Sequence, residues 1–349
     1  MWVCSAYRLK NTSRTCAMLL DVGTLAHVKT PRETATRAER STMAKKLLLV
    51  DVDCGLDDAQ ALMIALAEPT VEILGITCCF GNTTVENVCR NVLHVLDVCE
   101  RTKIPVFPGA SSSLLGGVNP TFVHFGSDGL GDAGETANVG LEHLQKEHAV
   151  NAIIRIINEH VGEISLVATA PLTNLALAVK LDPELPKKLK NLYIMGGNLE
   201  GKGNTTVCAE FNFYLDPEAA QIVLNEFTCP TYIAALDFAY KHALSKEFFE
   251  KWINQDSVKA NFMKRITTKT QLHDIGFVSY DAFAMAAAID ESIITEHLEC
   301  GVHVDLRGEF SRGMMVLDVK DRLKKKHKAY LMKKCDLEKF ENVMMSALQ

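Results

Sequence analysis

The sequence predicts an α/β protein: an open, mostly parallel sheet, doubly wound, with helices on both faces. Two observations lead there. From residue 46 onward, short apolar strand candidates alternate with segments of helical period. Polar motifs then recur at the carboxyl ends of those strands, where open α/β sheets bind their ligands: Asp53 to Asp58, Gly81-Asn82, Thr169, Met195 to Asn198 and Asp237.

LLLVDVD (47–53) reads as the first strand and LDDAQALMIALAEP (56–69) as a helix. The helix dipole modestly favours its acidic first turn. EILGITCCFG (72–81) is a strand, TVENVCRNVLHVLDVCER (84–101) a long amphipathic helix and IPVFPG (104–109) a short strand. AVNAIIRIINEHVG (149–162) is a helix, ISLVATA (164–170) a strand, LTNLALAVKLDP (172–183) a helix and KNLYIMGG (190–197) a strand. Residues 216–226 read as a helix, TYIAALD (231–237) as a strand and 243–265 as a more polar helical stretch. AFAMAAAIDES (282–292) is a helix without Gly or Pro, and ECGVHVDLRG (299–308) pairs with RGMMVLDV (312–319) as a closing hairpin. No GxGxxG follows a strand, and the GxxxxGK run at 196–202 is followed by Gly203 in place of the Ser or Thr that completes a phosphate loop, so a phosphate or dinucleotide cradle is not expected.

With 349 residues, 48% of them hydrophobic, the chain can bury a large core. Its net charge is −6 with acidic and basic residues mixed along most of the length, and no arginine-rich or aromatic-interleaved patch suggests a nucleic-acid partner. No apolar run reaches membrane-spanning length. The eleven cysteines are odd in number and include no CxxC, which suits free thiols in a reducing compartment. Residues 1–43 carry seven Lys or Arg against three acids and read as a disordered leader or a targeting-like extension. A single catalytic domain is expected over 44–349, in the cytoplasm, with mitochondrial targeting by residues 1–43 left open.

The densest motif is KKLLLVDVDCGLDDAQAL (45–62), with Asp51, Asp53, Asp57 and Asp58 inside eight residues. Asp51 and Asp53 share one side of a strand, and Asp57 and Asp58 follow a glycine turn onto a helix start, able to converge on Asp53. Without a counter-ion some would have to protonate. An all-oxygen cluster of this kind favours calcium or magnesium over zinc.

The chain resembles the inosine–uridine-preferring nucleoside hydrolases from about residue 45 to about 320. Three motifs in order carry the resemblance: Asp51-Val52-Asp53-Cys54-Gly55-Leu56-Asp57-Asp58 against DxDPGxDD, VATAPLTNLA (167–176), and IMGGNLEGKGNTTVCAEFNFYLDPEAA (194–220). The resemblance implies calcium-dependent hydrolysis of the N-glycosidic bond of ribonucleosides. It implies that Asp53, Asp58, the Thr169 carbonyl and Asp281 hold Ca2+, and that Asp53 takes the proton from the attacking calcium-bound water. Asp57, Asn204, Glu210 and Asn212 would hold the ribose hydroxyls, Asn82 would add a sugar contact, and Phe211 would sit beside that pocket. The partner is then a small ribonucleoside, and a homodimer or homotetramer is expected.

Four positions depart from the family pattern, one of them Ala282, which stands where HDP has its proline. Cys54 replaces a proline. Tyr280, in Ser279-Tyr280-Asp281-Ala282, replaces the histidine of HDP, which protonates the departing base in many members; a tyrosine donates a hydrogen bond but is a far weaker acid. Phe125 falls where a base-side histidine often stands and can stack but not donate. His273 suits a loop above the base. The metal and sugar side thus matches the family while the base side is altered. That pattern keeps two alternatives open: a catalytically weak or inactive nucleoside- or ribose-binding homologue, and a hydrolase for a modified or cationic ribonucleoside whose base leaves without an acid.

Overall fold

The computed structural model describes residues 45–116, 125–133, 140–268 and 274–349; the expected leader, 1–43, lies outside them. Nine strands are β1 (Lys46–Val52), β2 (Val71–Cys78), β3 (Val106–Pro108), β4 (Ile164–Ala168), β5 (Asn191–Met195), β6 (Thr231–Ala234), β7 (Ile294–Val304), β8 (Met315–Asp318) and β9 (Ala329–Cys335). They form one sheet in the order β3-β2-β1-β4-β5-β6-β9-β7-β8. Every pairing from β3 to β9 is parallel, whereas β7 runs antiparallel to β9 and β8 antiparallel to β7.

The helices are α1 (Leu56–Ala67), α2 (Val85–Val98), α3 (Ala149–Glu159), α4 (Thr173–Leu181), α5 (Phe211–Leu215), α6 (Pro217–Glu226), α7 (Leu236–Lys241), α8 (Lys246–Ile253), α9 (Val258–Ile266), α10 (Asp281–Ile289) and α11 (Leu337–Ala347). Strand alternation sorts them onto two faces. Leu48, Val50 and Val52 of β1 join a core with α1, α2, α10 and α11, while Leu49 joins a second core with α3, α4 and α6. The doubly wound sheet is the architecture its sequence predicts.

Some boundaries differ for local reasons. The strand expected over 231–237 stops at Ala234, and Leu236 begins α7. The polar stretch 243–265 is two helices, because Ser245 Oγ accepts from Phe248 N (3.0 Å) and Ser257 Oγ from Ala260 N (2.9 Å), each capping a separate start. The expected hairpin forms between β7 and β8 but does not close the sheet, since β9 inserts between β6 and β7 and α11 follows.

From β1 the chain winds outward to β2 and β3, then returns across β1 to lay down β4, β5 and β6. The β1/β4 boundary is therefore the point where the winding reverses, and a crevice opens there at the strand carboxyl ends. Asp53 follows β1 and Thr169 follows β4.

Candidate active site

The loop after β1 folds back on itself. Asp58 Oδ2 accepts the Gly55 N–H at 2.9 Å, and Asp57 and Asp58 thereby occupy the first turn of α1, where a helix N-terminus favours negative charge. Asp281 arrives from the start of α10, an alanine-rich helix whose nine residues are all buried and which packs directly on α1. Carboxylate oxygens of Asp57, Asp58 and Asp281 lie within 4.8 Å of one another.

Asp53 is hydrogen-bonded to Asp58 and accepts the Asn82 N–H at 2.8 Å. It stands beside the trio of converging oxygens rather than within it. Its approach depends on Gly81, where an added Cβ would sit 1.9 Å from Asp53 Oδ2. Thr169 Oγ1 donates to Asp58 Oδ1 (2.7 Å), and the Thr169 carbonyl accepts from Asn212 Nδ2 (2.8 Å). Asp51 turns elsewhere: it accepts from Thr77 Oγ1 (2.5 Å) and Asn174 Nδ2 (2.8 Å), bracing β1 against β2 and α4. The four aspartates of the opening motif therefore divide into one brace and three site residues.

Burial, with the Asp58 charge next, pushes Asp53 well above the usual carboxylate range and Asp57 up to about 8. Burial and the neighbouring carboxylates also push Asp281 well up, and burial raises Asp58. Such a cluster is ionised at neutral pH only beside positive charge. Two further acceptors, Asp57 Oδ1 and Asn212 Oδ1, are buried with no hydrogen-bond partner among the described residues. Hard oxygen donors, like charges at close quarters and orphaned acceptors together fit a divalent cation and a hydroxyl-bearing ligand.

These groups face a cavity of about 310 Å³, the size of a small-molecule site. Asp53, Asp57, Asp281, Thr169, Asn82, Glu210 and Asn212 border it; Asp58 lies beneath, fully buried. Glu210 accepts from Gly197 N (2.8 Å), Asn212 N (2.9 Å) and Phe213 N (3.2 Å), so it caps α5 as well as lining the site. Burial pushes it up to about 7 against those donors. Asn204 and Thr205 reach the cavity from the exposed loop after β5.

Phe125, Phe211, Tyr240 and Tyr280 complete the wall. Phe125 is set by a turn in which Asp132 Oδ1 accepts from Ser127 N (2.7 Å) and Gly131 N donates to the Phe125 carbonyl (2.6 Å). Asn91 ties that turn to the aspartate loop by donating to the Asp128 and Cys54 carbonyls, both at 2.8 Å. The Cys54 thiol is buried and pushed well up by burial and the carboxylates, so it is no nucleophile. Every site residue expected from the sequence thus borders the cavity or lies directly under it. His273 lies outside the described residues. Tyr240 and Thr205 were not anticipated; the only signal for Tyr240 is its place six residues past the end of β6.

Residues 48–342 match the family model described as inosine-uridine preferring nucleoside hydrolase. An inosine-uridine preferring nucleoside hydrolase of Leishmania major is 35% identical over 315 residues, covering 88% of this chain and 98% of that protein. The pyrimidine-specific ribonucleoside hydrolase RihA of Salmonella paratyphi C is 34% identical over 309 residues, covering 86% of this chain and 98% of its own length. A solved inosine-guanosine nucleoside hydrolase shares the fold with a TM-score of 0.80 at 30% identity, over 87% of this chain and 99% of that one.

Proposed function

Because this chain belongs to the inosine-uridine preferring nucleoside hydrolase family, we propose that it hydrolyses the N-glycosidic bond of ribonucleosides, giving ribose and free base, with calcium as its ion. The observation that carries this reading is the convergence of buried Asp57, Asp58 and Asp281 on a cavity with polar and aromatic walls. We assign the activity to residues 44–349 as one catalytic domain.

Asp53, Asp58, Asp281 and the Thr169 carbonyl hold the ion. The chemistry that a calcium ion held there would supply is a more acidic water and a fixed position for the sugar's diol. Asp53, held by Asn82 N, accepts the proton of the water that attacks the anomeric carbon. Asp57, Asn204, Glu210 and Asn212 hold the ribose hydroxyls. The orphaned oxygens of Asp57 and Asn212 supply two of the acceptors those hydroxyls need. Asn82 adds a sugar contact, and the carboxylates favour the positive charge that develops on the ribose as the bond breaks. Phe125 and Phe211 offer ring faces, and Tyr280 donates a hydrogen bond toward the departing base.

The relatives' names span purine and pyrimidine nucleosides, so the substrate panel must do the same. Ribose release from inosine, uridine, cytidine, adenosine and nicotinamide riboside would be measured with calcium, with chelator, and in Asp53→Asn. The expected result is release that needs calcium and disappears in the variant. Release confined to nicotinamide riboside assigns a cationic leaving group, as Tyr280 and Phe125 would allow. No release from any substrate by folded, calcium-loaded protein overturns hydrolysis in favour of nucleoside binding.

A further inference from the structure

Tyr240 and Tyr280 form a pair inside the cavity. Their ring centroids are 5.9 Å apart with an interplanar angle of 72°, an edge-to-face contact. Their side chains are hydrogen-bonded, and both border the same space. Tyr280 belongs to the core cluster on the α1 face, with Phe125 and Tyr240 packed against it; Phe211 packs against a separate cluster. The two tyrosines therefore make one aromatic pair in a wall that Phe125 and Phe211 also line.

Tyr240 is also firmly seated. It lies on α7 between two residues that grip the loop after β5: Asp237 accepts from Leu199 N and Glu200 N, and Lys241 Nζ donates to Glu200 at 2.5 Å. That loop carries Asn204 and Thr205 to the cavity. One short helix thus anchors the loop after β5 and presents a phenol to the cavity.

Building on the nucleoside-hydrolase reading above, we infer that Tyr240 is a positioning residue for the base: its hydroxyl fixes that of Tyr280, and the pair recognises a hydrogen-bond acceptor on the base. A lone phenol on a rotatable ring loses entropy when it commits to one acceptor; a phenol already held by a neighbour loses less. The class selected is a nucleoside whose base presents a carbonyl or ring nitrogen to the pair.

The test compares calcium-loaded wild type, Tyr240→Phe, Tyr280→Phe and the double variant. Initial rates on inosine give kcat and KM, and calorimetry gives binding of inosine and of base-free 1,4-anhydro-D-ribitol. Each single variant should lose about tenfold in kcat/KM, the value of one hydrogen bond. The double variant should lose little more, because the hydroxyls act as a unit, and anhydroribitol binding should stay within about twofold. Tyr240→Phe at wild-type rates, additive losses, or an equal loss of anhydroribitol binding would each overturn the inference. If wild type releases no ribose, hydrolysis fails on its own account. The ratio of inosine to anhydroribitol affinity in the same four proteins then decides the role of the pair.

Discussion

At the scale of single residues, the site is a problem of close approach. Asp53 can meet Asn82 N and Asp58 only because position 81 carries no side chain. Gly81→Ala should therefore displace the Asp53 carboxylate with little harm to the fold. We expect calcium-dependent ribose release to fall by about 100-fold or more, in line with a 1 Å misplacement of a reacting group, while far-ultraviolet circular dichroism stays native. Retention of wild-type rates would remove Asp53 from the account. The convergence of Asp53, Asp57 and Asp58 was legible because carboxylates this close in sequence can share a space only beside positive charge, whereas Glu210 was found through the resemblance alone. Asp281 was legible only by resemblance, since nothing local announces an aspartate that meets its partners across two helices. Tyr240 was not legible at all, because a tyrosine just past a strand end reads as ordinary packing until its neighbours are known.

At the scale of elements, the convergence of the three carboxylates rests on α10 lying against α1. Ala282, Ala284 and Ala286 are completely buried in a helix packed against both α1 and the sheet, and from its first turn Asp281 comes within reach of Asp57 and Asp58. Ala284→Leu should overpack this contact, costing about 1–3 kcal/mol of stability and weakening calcium more than a surface change would. Chemical denaturation and calcium calorimetry on the same variant would check both effects; unchanged calcium affinity would show that the spacing of the two helices does not set the site. Most elements were readable from periodicity because buried parallel strands and amphipathic helices have distinct patterns. The missed β9 and α11 follow the lysine-rich segment Lys324-Lys325-Lys326, and β9 itself mixes buried and part-exposed positions. A parallel partner so distant in sequence from β6 leaves no local turn signal.

At the scale of the whole molecule, the sheet's reversal between β1 and β4 gathers four or more acidic groups into an interior that could otherwise have been apolar. Burial holds Asp51 at about 7, Asp57 at about 8 and Glu210 at about 7 in the metal-free fold, against about 4 in an unfolded chain. Raised carboxyl values mean that the folded state binds more protons, so their contribution to stability is complete below about pH 4 and is lost as pH rises through about 7 to 8. A cation that competes with those protons works in the opposite sense, stabilising more as pH rises. Cation binding by the buried carboxylates is read most simply from the thermal unfolding midpoint between about pH 5 and pH 8, with calcium and with chelator, in wild type and Asp58→Asn. The midpoint should decline with pH in chelator, the calcium increment should grow with pH, and that increment should vanish in the variant. A midpoint indifferent to calcium at about pH 8, or a full increment in Asp58→Asn, would contradict cation binding by these carboxylates.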